Sequence, residues 1–265
     1  MNSIASLIIL LVSINLFAAE TASTTTNTAG AAKVIRVRAD TWCPFNCDPG
    51  TDKEGIIIEI AKSALAKKGY TLDYQTINWA RAIEETRNGN FEAIAGASTG
   101  DAPDFIFPQE AQAVTNYEIY TLKDSKWTFK NEDSLKGIKL GVINGYTYDD
   151  KFMEIVNKKN PSIVVVSGEI GLDQLIKMMD EKRIDALIES PGVFKNFLVS
   201  KGLNFSNYRS AGQADKKHQK LFIAFGPKQK DAKDLAKAVS DEVKSLRKSG
   251  KLKKLLDKYQ MKDWK

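Results

Sequence analysis

The sequence predicts an α/β fold built from two successive units, on three observations. From Lys33 onward, short β-rich runs alternate with longer stretches of helical apolar spacing, the pattern of strands joined by helices, with parallel sheets expected. Glycines close the helical stretches, as Gly69 and Gly89 do. At 265 residues the chain is long enough for one large domain or two of ordinary size.

The elements follow in order. Residues 34–39 open as a strand, and after an irregular loop the stretch 55–69 places Ile57, Ile60, Ala61, Ala64 and Leu65 at helical spacing. A second strand over 70–77, a helix over 80–88 and a third strand over 91–96 repeat that unit. An extended run covers 117–121. The pattern starts afresh near Lys126, with a strand over 135–143, a helix over 147–158, a strand over 163–166, a helix over 171–182 and a strand over 186–189. An apolar strand over 221–226 and helices over 232–247 and 251–259 finish the chain. The chain is expected to cross near 121–126 and again near 213–220. That gives a first lobe of 33–122 with 221–265, a second lobe of 123–220, and a double hinge.

Composition narrows the function. With 43% hydrophobic and 27% charged residues the chain matches a soluble globular protein. Its net charge of +6 is spread along the whole length, and nucleic acid, which wants a denser basic stripe, is not an expected partner. Two cysteines and one histidine are too few for a protein-built zinc site, so no metal and no cofactor are expected. Serine-histidine-acid chemistry would rest on His218 alone, and neither a Gly-x-Ser-x-Gly elbow nor a phosphate loop is present. No catalytic residue is assigned.

Residues 1–19 carry no charge and contain the apolar run 4–14 before the small pair Ala18 and Ala19, which reads as a signal peptide. That run is shorter than the roughly 20 apolar residues that span a bilayer. A polar linker over 20–32 follows, and the mature protein is expected in the periplasm. In that oxidising compartment Cys43 and Cys47, the whole cysteine inventory, are expected to form a disulfide that fixes a local turn beside Pro44, Pro49 and Gly50. Their spacing has three intervening residues where a redox motif has two.

Several segments, in order, carry a resemblance: Gly55 through Ala61, Trp79 through Ile94, Asp133 through Thr147, Met178 through Ala186, and Ser249 through Tyr259. Together they resemble bacterial solute-binding protein family 3, the periplasmic receptors of polar amino-acid ABC importers. The resemblance implies a periplasmic-binding-protein type II fold, two α/β lobes joined by a double hinge. Its ligand cleft lies where loops at the carboxyl ends of strands converge. It also implies a small polar solute, amino-acid-like or otherwise carboxylated, a membrane ABC permease or sensor domain as partner, and a monomer.

On that template the loops offer Asp40 and Trp42, Trp79 and Arg81, Ser98 and Thr99, Gly145, Tyr146 and Thr147 at a helix start, and Glu189 with Ser190. In amino-acid binders of this type an arginine shortly after the third-strand serine grips the ligand carboxylate, and here Pro103 is read at that position. The second-lobe aspartate falls at Ser190, with Glu189 one place earlier. Arg81 is therefore expected to be the principal cationic contact, supported by backbone amides of 145–147, while Trp42, Trp79 and Tyr146 pack on the ligand. The alternatives are a dehydratase or hydrolase using the carboxylates of Asp40, Glu118 and Glu189, and a receptor read by a membrane sensor.

Overall fold

A computed structural model describes residues 33–158, 160–168, 170–214 and 217–265; the expected signal peptide and linker lie outside the described residues. Strands β1 (Lys33–Ala39), β2 (Tyr70–Thr76), β3 (Ala93–Ala97) and β4 (Ala113–Thr115) come first, followed by β5 (Glu118–Leu122), β6 (Leu140–Ile143), β7 (Ile163–Val166), β8 (Ala186–Glu189), β9 (Tyr208–Gln213) and β10 (Gln219–Phe225). They form two five-stranded sheets, ordered β2-β1-β3-β10-β4 and β7-β6-β8-β5-β9. Each sheet is the centre of one lobe.

The sheets are mixed, not parallel throughout as expected. β1 runs parallel to β2 and β3, and β6 parallel to β7 and β8. The strands adjoining the crossings, β10 and β5, run antiparallel to their neighbours. β5 pairs with β8 and β9, so it belongs to the second sheet although the sequence reading ends the first lobe at 122. An extended run carries no mark of which sheet it will join.

Helices α1 (Ile56–Ala66), α2 (Trp79–Arg87), α3 (Asp150–Asn157), α4 (Gly171–Asp180), α5 (Pro191–Ser200), α6 (Ala232–Lys248) and α7 (Lys251–Lys258) connect and cover the strands. α1 is apolar over most of its surface because most of it is buried; Ile56, Ile57, Ile58 and Ile60 expose nothing, while Glu59, Lys62 and Ser63 are half-buried. Gly55 starts it at φ +107°, and a Cβ there would lie 2.4 Å from the Phe45 carbonyl oxygen, so only glycine lets the disulfide loop press on the helix. The Gly55 amide donates to the Tyr259 hydroxyl at 2.8 Å, which ties the end of the chain back to the first lobe. Among the described residues no helix is long and apolar enough to cross a membrane.

Because β1, β2 and β3 are parallel, their carboxyl ends share one edge. Asp40 and Ser98 follow the ends of β1 and β3 directly, and Asn78 lies two residues beyond the end of β2. In the second lobe Asn144 and Ser190 leave the matching ends of the parallel pair β6 and β8.

Candidate ligand-binding site

The two edges face each other across a cleft lined by Asp40, Trp42, Trp79, Gly96, Asp101, Tyr117 and Tyr146. It is nearly closed, with about 20 Å³ of free volume at its centre. Hydrogen bonds cross it: the Tyr146 hydroxyl donates to Asp40 Oδ2 at 2.6 Å, Trp42 Nε1 to Glu189 Oε1 at 2.8 Å, and Trp79 Nε1 to the Gly145 carbonyl at 3.1 Å.

Trp42 is aimed by the loop that Cys43 and Cys47 close as a disulfide, with Cα atoms 4.4 Å apart. Within it the Trp42 amide donates to the Asn46 carbonyl at 2.7 Å and the Phe45 amide returns to the Trp42 carbonyl at 3.0 Å. Asn46, fully buried, donates to the Asp40 carbonyl at 2.7 Å and so holds the next residue of the site. The Trp42 ring stacks near Tyr117 and meets Tyr146 edge-on, both at 6.1 Å between centroids, making one aromatic wall from both lobes. Trp79 stands opposite as the first residue of α2, which Asn78 caps by accepting the Arg81 amide at 3.1 Å.

The acids are the main electrostatic feature. Burial, with a smaller push from Asp101, raises the Asp40 carboxyl to about 6 against the hydrogen bond from Tyr146. Glu189 is wholly buried, and burial with a further contribution from Asp40 raises it to about 8, although Trp42 and the Ser190 amide hydrogen-bond to it. Asp101 is also raised by burial, against hydrogen bonds from the Ser98 amide at 2.6 Å, the Ser98 hydroxyl at 2.8 Å, and Thr147.

The cleft thus brings together Asp40, Trp42, Trp79, Ser98, Tyr146 and Thr147 of the residues read from sequence, with Glu189 directly behind Trp42. Three others stand apart. Arg81 is exposed on the outer face of α2, 3.8 Å from Glu85, where it makes a solvated i,i+4 pair and is not among the residues lining the cleft. Thr99 is exposed on its loop. Ser190 is buried but turned toward the crossing between lobes, where its Oγ accepts the Thr115 hydroxyl at 2.7 Å. Residues 145–147 are not a helix start either; α3 begins at Asp150, with Asp149 as its cap, and the Thr147 donors already hold Asp101. Gly145 contributes its carbonyl.

Three lining residues, Gly96, Asp101 and Tyr117, escaped the sequence reading. In the loop after β3 the acid Asp101 enters the cleft, and its signal is local: an acid three residues after a serine folds back onto that serine's amide. Tyr117 was hidden because it sits at the start of an extended run. A separate open groove of about 980 Å³ lies between the disulfide loop, α5 and the chain end, with Lys53, Lys195, Lys262 and Lys265 on its walls. It lacks the convergence of both strand edges that defines the cleft.

Comparison with known proteins agrees with this geometry. Residues 35–262 match the bacterial extracellular solute-binding proteins, family 3, and the chain belongs to that family. A probable histidine-binding protein of Neisseria gonorrhoeae is 21% identical over 239 residues, 87% of this chain and 84% of that protein. Among solved structures, a mutant of ArgBP from T. maritima superposes with a TM-score of 0.70 at 18% identity, covering 86% of this chain and 95% of the other. A substrate-binding protein of an ABC uptake transporter from Streptococcus pneumoniae, with bound histidine, gives 0.69 at 18% identity, covering 85% and 92%. These similarities show the two-lobed type II fold of periplasmic binding proteins.

Proposed function

We propose that this chain is a periplasmic binding protein that captures a small polar solute bearing an ammonium-type group between its lobes and hands it to an ABC importer. The observation that carries the reading is the set of hydrogen bonds across the cleft: each joins a side chain of one lobe to the other lobe, so closure and binding are one event. The histidine in the names of two similar proteins supports a nitrogen-bearing solute. The first lobe comprises 33–115 with 219–265 and the second 118–213, so the crossings fall at the lobe edges where hinge rotation disturbs neither sheet. The protein acts as a monomer, and no bond is made or broken.

The test is gel filtration after incubation with a metabolite mixture, mass spectrometry of what is retained, and small-angle scattering with that solute added back. A retained solute and a smaller radius of gyration at the mass of one chain are expected. No retained solute, or an unchanged radius at saturation, overturns the reading.

A further inference from the structure

We infer that the cleft selects an organic cation without a carboxylate, a small amine, in preference to a zwitterionic amino acid. The inference rests on the solute-binding reading above and narrows its ligand.

The argument is an inventory of donors and acceptors. A ligand carboxylate needs N–H or O–H groups, or a lysine or arginine, to receive it. Neither lysine nor arginine is among the residues lining the cleft. Neutral donor groups around it are engaged by the chain's own acceptors: Trp42 Nε1 and the Ser190 amide by Glu189, the Ser98 amide and hydroxyl and the Thr147 donors by Asp101, the Tyr146 hydroxyl by Asp40, and Trp79 Nε1 by the Gly145 carbonyl. The protein's own acid side chains take up donors that a ligand carboxylate would use.

What remains on offer is acceptor capacity and aromatic surface. Glu189 Oε2 is buried without a hydrogen-bond partner, at a side chain with no exposed surface. The faces of Trp42, Trp79, Tyr117 and Tyr146 line the same cleft. Ring faces attract a positive charge, and a cation in this enclosed space favours the ionised form of the acids around it, whereas a ligand carboxylate would raise the cost of ionising them. A bare metal ion fits less well, because among the described residues no group of three His, Cys, Asp or Glu side chains is placed to hold one. An extended organic cation can meet separate acids with separate N–H groups.

The experiment titrates ligand-stripped, refolded protein by calorimetry with pairs that differ only in the α-carboxylate: histamine and histidine, agmatine and arginine, cadaverine and lysine. At least one amine is expected to bind tenfold or more tighter than its amino-acid partner. An amino acid that binds as tightly as its amine overturns the inference. If no member of the pairs binds, the solute retained from a metabolite extract decides: a carboxylate-free cation supports the inference, and a zwitterionic, neutral or anionic solute overturns it while leaving the solute-binding reading intact. No retained solute overturns both. Asp101→Asn keeps the side chain's shape and is expected to weaken the cation tenfold or more while the ligand-free protein still unfolds in one cooperative transition, which separates lost charge from lost structure. Unchanged affinity in Asp101→Asn overturns the inference. Arg81→Ala, outside the cleft, is the control and is expected to bind like wild type.

Discussion

Glu189 shows at a single residue what closing this cleft costs. Its carboxyl is completely buried and receives the Trp42 indole N–H and the Ser190 amide, yet desolvation still raises it to about 8, with Asp40 adding to the effect. In the unfolded chain it titrates near 4.5. Between those two values the folded protein holds a proton that the unfolded chain has released, so the contribution of this group to stability is fully present below about 4.5 and is lost as pH rises through about 8. Asp40, raised to about 6, adds to the slope in its lower part. Glu189→Gln keeps an oxygen for Trp42 and Ser190 and removes the titration. Thermal unfolding between pH 5 and pH 8 is expected to show the Tm advantage of Glu189→Gln over wild type growing with pH. Parallel curves would mean that Glu189 is ionised in the folded state without penalty.

Among the elements, α2 links local sequence signals to the site. Asn78 caps it, and Trp79, its first residue, reaches across the cleft to Gly145. Removing a cap of this kind costs about 1 kcal/mol. For a protein of this size Asn78→Ala is expected to lower Tm by about 2 to 4 °C, with Asn78→Asp restoring it, measured by calorimetric scanning. No change in Tm would show that the cap carries no weight.

The same helix shows what the sequence made legible. Its buried residues Trp79, Ala82, Ile83 and Thr86 fall at i, i+3, i+4 and i+7, which turns Arg81 to the outside, so its exposure was readable from spacing alone. Apolar period and glycine stops likewise marked α1, α4 and β8 within a few residues. The elements that were missed lack such a signal. β4 is three residues long, β9 reads Tyr-Arg-Ser-Ala-Gly-Gln with only two buried positions, and α5 opens on Pro191, a residue type that serves a turn as readily as a helix start. Asp40, Trp42 and Tyr146 were legible as cleft residues because strand ends announce them. That Glu189 accepts from Trp42, and Asp40 from Tyr146, depends on loops meeting across lobes, and no local pattern encodes it.

Over the whole molecule, binding depends on how closely the lobes approach, and one position tests this without touching an acid or an aromatic ring. Gly100 lies on the exposed loop after β3, and a Cβ added there would come within 3.0 Å of Thr147 Cγ2 on the opposite lobe. Its backbone has no positive φ that demands glycine, so a larger residue there is unstrained once the lobes part. In the closed form its side chain is driven into Thr147, which itself holds Asp101. Gly100→Leu is therefore expected to act as a wedge: the folded lobes survive, and closure loses what an overpacked contact costs, about 1 to 3 kcal/mol. That corresponds to roughly five- to 150-fold weaker binding of whichever solute copurifies. Scattering of Gly100→Leu is expected to give the larger, open radius of gyration even with ligand at a concentration that compacts wild type, while Tm without ligand stays within a few degrees. Wild-type affinity and full compaction in Gly100→Leu would mean that Thr147 yields, and that the approach of these two loops does not limit closure.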